Sequence, residues 1–136
     1  AMKKVFVSNI KLVELLESKE KLILPLSQQM TQYYPKSIRE DYRGISEVIA
    51  DSGAPYLGDR QVIIDASDVY IEDWVVAIEH LLKKMGRDII IPLNLFFNEY
   101  LDETNFDYFI YELQNSLLSR GWKDIELKDI NFLIVF

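Results

Sequence analysis

The 136-residue sequence contains no cysteine, one histidine, four prolines and five glycines. Without cysteine there is no disulfide framework, no thiolate metal site and no thiol nucleophile. With His80 as the sole imidazole, a zinc site lacks its ligands, and no Gly-x-Ser-x-Gly elbow exists to present a serine nucleophile. Gly44, Gly53, Gly58, Gly86 and Gly121 lie too far apart to build a Walker loop or a dinucleotide fingerprint. No stretch reaches the roughly 18 consecutive apolar residues that a membrane span requires. The short apolar run after Lys3 and Lys4 stops at Ser8, too soon for the core of a secretory signal. These absences lead to the expectation of a cytoplasmic, non-enzymatic protein with no cofactor and no membrane partner.

What the chain does contain is enough apolar material for a core. Hydrophobic residues make up 49% and aromatics 12% of the sequence, which excludes a disordered tail and, at this length, implies one domain over residues 1–136. Lys3–Val7 reads as a short strand, after which Ser8 or Asn9 caps a helix carrying Leu12, Leu15 and Leu16. Leu22–Leu26 is apolar but interrupted by Pro25, and so reads as a buried connector toward a short helix near Gln28–Tyr33. Ser37-Ile38-Arg39-Glu40 has the spacing of a capping box, and Ile38, Tyr42, Ile45 and Ile49 form a helical face that Gly53 ends.

Gln61–Ile64 and Ile89–Ile91 are β-branched runs without alternation, the pattern of strands covered on both faces. Between them, Ser67 or Asp68 is expected to cap a helix over Ile71–Met85 that turns Trp74, Ile78, Leu81, Leu82 and Met85 inward. Thr104-Asn105-Phe106-Asp107 opens a further helix with Phe106, Ile110, Leu113 and Leu117 on one face, closed at Gly121. Ile125–Leu127 and Phe132–Phe136 read as one or two final strands, the two-strand case being a hairpin that turns near Lys128-Asp129. The order β-α-α-β-α-β-α-β(β) predicts an α/β single domain with a mixed or mostly parallel sheet and helices packed on it.

The formal charge of −7 is unevenly placed. Residues 61–82 carry five acids and residues 88–119 carry six, neither stretch holds a Lys or Arg, and the rest of the chain sums to +4. No dense basic patch offsets this charge, so nucleic acid is not the expected partner. Lys83, Lys84 and Arg87 cluster at a helix C-terminus, where the macrodipole explains them. Most of the acids follow an expected buried strand. In a parallel sheet such strand ends lie together, so the 65–73 and 99–107 acids are expected to meet at one end of the domain. Tyr70, Trp74, Phe96, Phe97, Tyr100 and Tyr108 are interleaved with them.

The candidate partner-binding residues are therefore Asp65, Asp68, Tyr70, Glu72, Asp73, Glu99, Tyr100, Asp102, Glu103 and Asp107. An acidic rim bearing aromatics suits a basic protein, because its field raises the encounter rate and the aromatics slow dissociation. The same residues also fit roles that need no such partner. Acids in a first helical turn stabilise the helix by about 0.3–1 kcal/mol each and serve the fold alone. Trp74, Phe96 and Phe97 fit a core as well as an interface. Asp65, following a buried strand, also suits an oxygen-ligand Mg²⁺ site in an enzyme.

The short N-terminal strand Lys3–Val7, the Tyr33-Tyr34 pair before a helix and the buried strand after it lie in a small, acidic, cysteine-free chain. This combination resembles bacterial toxin-immunity proteins of the barstar type, over about the first ninety residues. The resemblance implies an inhibitor that covers the active site or substrate surface of a basic toxin domain, such as a nuclease. It rests on architecture, and it transfers no binding residue by position. A second resemblance lies in Val62-Ile63-Ile64-Asp65-Ala66-Ser67-Asp68-Val69, which is similar to the strand-to-helix segment of anti-sigma-factor antagonist domains. That family implies a phosphorylatable serine near the helix start, where this chain has Glu72-Asp73-Trp74, and the strand expected at Phe132–Phe136 also departs from its helical ending.

Overall fold

The apolar runs of the sequence become parallel strands, joined by helices that cover both faces of one sheet. The computed structural model describes residues 2–18, 20–26, 61–65, 70–93 and 103–135. Its elements are β1 (Lys3–Val7), α1 (Asn9–Glu17), β2 (Lys21–Leu26), β3 (Gln61–Asp65), α2 (Ile71–Met85), β4 (Ile89–Leu93), α3 (Glu103–Ser119), α4 (Asp124–Leu127) and β5 (Asn131–Val135). The five strands lie in the order β1-β5-β4-β2-β3, and all neighbouring pairs are parallel. The α/β fold read from the sequence is present. The helices expected near 28–33 and over 38–49 fall outside the described residues.

The direction of the crossovers decides which face each helix covers. From β1 to β2 the chain moves one way across the sheet; from β3 to β4 and from β4 to β5 it moves back. Right-handed connections then put α1 on one face and α2 and α3 on the other. The burial pattern agrees. Ile23, Val62, Ile64, Ile89, Ile91, Phe132 and Ile134 share a core cluster with Trp74, Ile78, Leu81, Phe106, Phe109, Leu113 and Leu117. The alternate strand residues Leu22, Leu24, Leu133 and Val135 are buried outside that cluster, as are Leu12 and Leu16 of α1.

Local signals set most helix ends. Ser8 accepts a hydrogen bond from the Lys11 amide through Oγ at 3.3 Å and starts α1. Gly86, at φ 75° and ψ −148°, ends α2 in a conformation that side chains resist. Gly121, at φ 98°, follows α3.

Three expectations are corrected. Leu22–Leu26 belongs to strand β2, well inside the sheet, and is not a connector. Pro25 lies opposite Ile64 in the β2–β3 ladder, while the β2–β4 ladder covers only Lys21↔Ile89 and Leu22↔Ile90. Ile125–Leu127 lies in the short helix α4, so no hairpin precedes β5, which runs parallel between β1 and β4. A four-residue connection cannot reverse the chain into a parallel neighbour, and the crossover through α3 and α4 does so instead. Finally, Tyr70 rather than Ser67 or Asp68 is the N-cap of α2, and its side chain makes no capping hydrogen bond.

Candidate protein-docking surface

β3 ends at Asp65 and α2 begins at Ile71; β4 ends at Leu93 and α3 begins at Glu103. Because the strands are parallel, both helices start from the carboxyl edge of the sheet. Trp74, in the first turn of α2, meets Phe109, in the second turn of α3, edge to face with ring centroids 5.6 Å apart. This contact holds the two helix starts side by side, with Phe106 and Phe132 completing the aromatic cluster beneath them.

The described candidates gather at this end. Tyr70 is 58% exposed at the cap of α2. Glu72 is exposed and Asp73 half-buried in the first turn of that helix, where the positive end of the helix dipole favours carboxylates. Asp107 is exposed on the second turn of α3. Asp65 and Glu103 are placed by their backbones, at the end of β3 and the start of α3. Asp68, Glu99, Tyr100 and Asp102 lie outside the described residues, as do Phe96 and Phe97.

Charge pairing alters the distribution expected from sequence. Asp107 belongs to a stretch without a basic residue, yet Lys4 of β1 reaches across to it, Nζ to Oδ1 at 2.5 Å. The same ammonium lies 5.7 Å from the centroid of the Phe106 ring. Periodicity within α3 carries no trace of this pair, because its partner arrives from the far end of the chain.

Trp74 is fully buried, so it is core and not a contact residue. Phe109 is buried as well; its three-residue spacing from Phe106 was the available signal. Tyr108 and Tyr111, on the outer side of α3, are 65% and 62% exposed. The Tyr108 hydroxyl donates to the Glu112 carboxylate, which holds the phenol above its ordinary pKa. Tyr111 was not singled out by sequence, although its position opposite Leu113 and Leu117 on the helical wheel points it outward.

Glu79 leaves the acidic group altogether. It is buried on α2, pairs with Arg120 at 2.5 Å and accepts the Trp122 indole N–H at 2.9 Å. The Arg120 hydrogen bond, followed by that of Trp122 and the nearby positive charge, holds its carboxyl below the ordinary range, against the opposing effect of burial. Glu79 therefore clamps the end of α3 to α2 and does not face a partner.

Among the described residues no group of three or more His, Asp and Glu side chains could hold a metal ion, and no helix is long and apolar enough to cross a membrane. His80 is half-exposed on α2. No protein-family model, curated protein or solved structure matches the chain.

Proposed function

We propose that this chain is a cytoplasmic, non-enzymatic inhibitor that binds a basic protein partner, in the manner of an immunity protein neutralising a bacterial toxin domain such as a nuclease. The observation that carries the reading is the pairing of the α2 and α3 starts through Trp74 and Phe109. It sets the Glu72 and Asp73 carboxylates at one end, with exposed Tyr70 at the same cap, while Asp107 on the neighbouring helix is already paired with Lys4. Carboxylates on a rigid helical platform attract Lys and Arg over a distance, and tyrosines supply apolar contact at small entropic cost once the partner has docked. Covering the basic groups with which a toxin holds its substrate is sufficient for inhibition.

The test is affinity capture from the native host with the tagged full chain and with a Glu72→Lys, Asp73→Lys variant. The wild type is expected to enrich a basic protein whose activity it blocks, and the variant to lose it while melting within a few degrees of the wild type. Equal capture by both forms, or capture without inhibition, contradicts the proposal.

A further inference from the structure

The sheet itself delivers Lys4 to α3. In the β1–β5 ladder Lys4 stands beside Phe132, and residues side by side in a parallel ladder point to the same face. Phe132 belongs to the core cluster beneath α2 and α3, and its ring meets that of Phe106 edge to face, centroids 5.7 Å apart. Lys4 therefore rises from β1 on the α3 side, with its ammonium 5.7 Å from the Phe106 centroid and 2.5 Å from Asp107 Oδ1. A carboxylate beside an aromatic ring is the chemistry that receives a lysine or arginine of a basic protein. Here the chain's own lysine fills it. The pair is open to solvent, since the Asp107 side chain is 70% exposed and that of Lys4 38%.

We propose that Lys4 is an internal competitor for basic ligands of this surface: it occupies Asp107 in the free chain and is displaced when a ligand's lysine or arginine takes that carboxylate. The inference rests on the docking reading above and adds a brake to it. Phe106 is buried and fixed, whereas the ammonium sits at the end of a flexible stem and can leave Asp107 without moving β1. An exposed ion pair is weak enough to exchange. A ligand that binds only the open form loses affinity in proportion to the fraction of chains that are open, so a pair of this kind weakens a basic ligand by about two- to fivefold. Positive charge on β1 acts separately, at long range, and Lys3 distinguishes the two effects. It is exposed and carries the same charge, but it stands beside Asn131, one position earlier in the ladder, and so points to the face opposite Lys4.

The probe is a fluorescently labelled hexa-arginine peptide, titrated with the full chain at low salt and read by anisotropy. Lys4→Gln is expected to bind it about two- to fivefold more tightly than the wild type. Lys3→Gln, which removes the same charge from the other face, should gain less. In an Asp107→Asn background, Lys4→Gln should gain no more than Lys3→Gln does. Equal gains for Lys3→Gln and Lys4→Gln in the wild-type background overturn the proposal, because net charge then accounts for both. So does a Lys4→Gln gain that survives Asp107→Asn undiminished, or a peptide that no form binds. The peptide carries the chemistry of a partner and not its identity. A Lys4 brake on hexa-arginine together with failed capture from the host would therefore sink the immunity reading and leave the competition at Asp107 standing.

Discussion

Glu79 shows how one buried carboxylate differs from an exposed one. Its folded-state pKa lies below the ordinary value of 4.5, so its contribution is complete above that value and is lost as pH falls through the lower, folded one. We expect Glu79→Gln to cost about 1–3 kcal/mol at neutral pH, because the Arg120 and Trp122 donors lose a charged acceptor. That gap should narrow as pH falls below the ordinary 4.5 and through the lower folded-state pKa, where the wild-type carboxylate takes up its proton. Thermal melts of both proteins across pH check this, and a gap that is independent of pH contradicts it. Trp74 separates core from interface in the same way. Trp74→Ala should cost about 3–5 kcal/mol. Trp74→Phe should cost less, since the indole nitrogen it removes has no acceptor among the described residues. At this scale the sequence is legible where burial follows periodicity, as at Ile78 and Leu81, while for Trp74 it fits core and interface equally. It was silent on Glu79–Arg120 and Lys4–Asp107, because pairs separated so widely along the chain leave no local pattern.

At the scale of elements, β1, α1, α2 and α3 follow from apolar spacing and end signals, and α2 spans the residues expected of it. The two misread segments had tertiary causes. Pro25 argues against a strand, yet it lies within the β2–β3 ladder opposite Ile64. Ile125-Glu126-Leu127 has strand-like composition, yet the Lys123 amide donates to the Glu126 carboxylate and one helical turn forms. Gly86 gives a test confined to the backbone. A Cβ there would meet nothing within 4 Å, so any penalty comes from its φ of 75°. Gly86→Ala should destabilise by about 1–3 kcal/mol, as expected for a side chain forced into that region. A melting temperature equal to that of the wild type would show that α2 ends equally well without a left-handed residue.

Across the whole molecule the parallel topology sets helix starts at one end of the sheet and helix ends at the other. Helix starts bring Glu72 and Asp73 to the carboxyl end, while Lys21, Lys83, Lys84 and Arg87 lie at the amino end together with Glu17, Glu20, Asp88 and Asp129. There Lys21 donates to the backbone oxygens of Met85 and Arg87, and Arg87 lies 3.7 Å from Asp129. Lys11, in the first turn of α1, is an exception at the other end and faces Glu14 at 3.9 Å. The convergence of strand ends was legible because buried β-branched runs alternating with helices require parallel crossovers. The residues that would complete the rim, Asp68, Glu99, Tyr100 and Asp102, are placed by sequence alone.

The most direct measurement is the association rate between the chain and its captured basic partner as ionic strength rises from about 0.1 to 1 M, over which the Debye length contracts from about 10 to 3 Å. A steep fall in rate for the wild type, and a slow, nearly salt-independent rate for the Glu72→Lys, Asp73→Lys variant, is the predicted result. Equal rates and equal salt dependence for the two proteins would contradict the account.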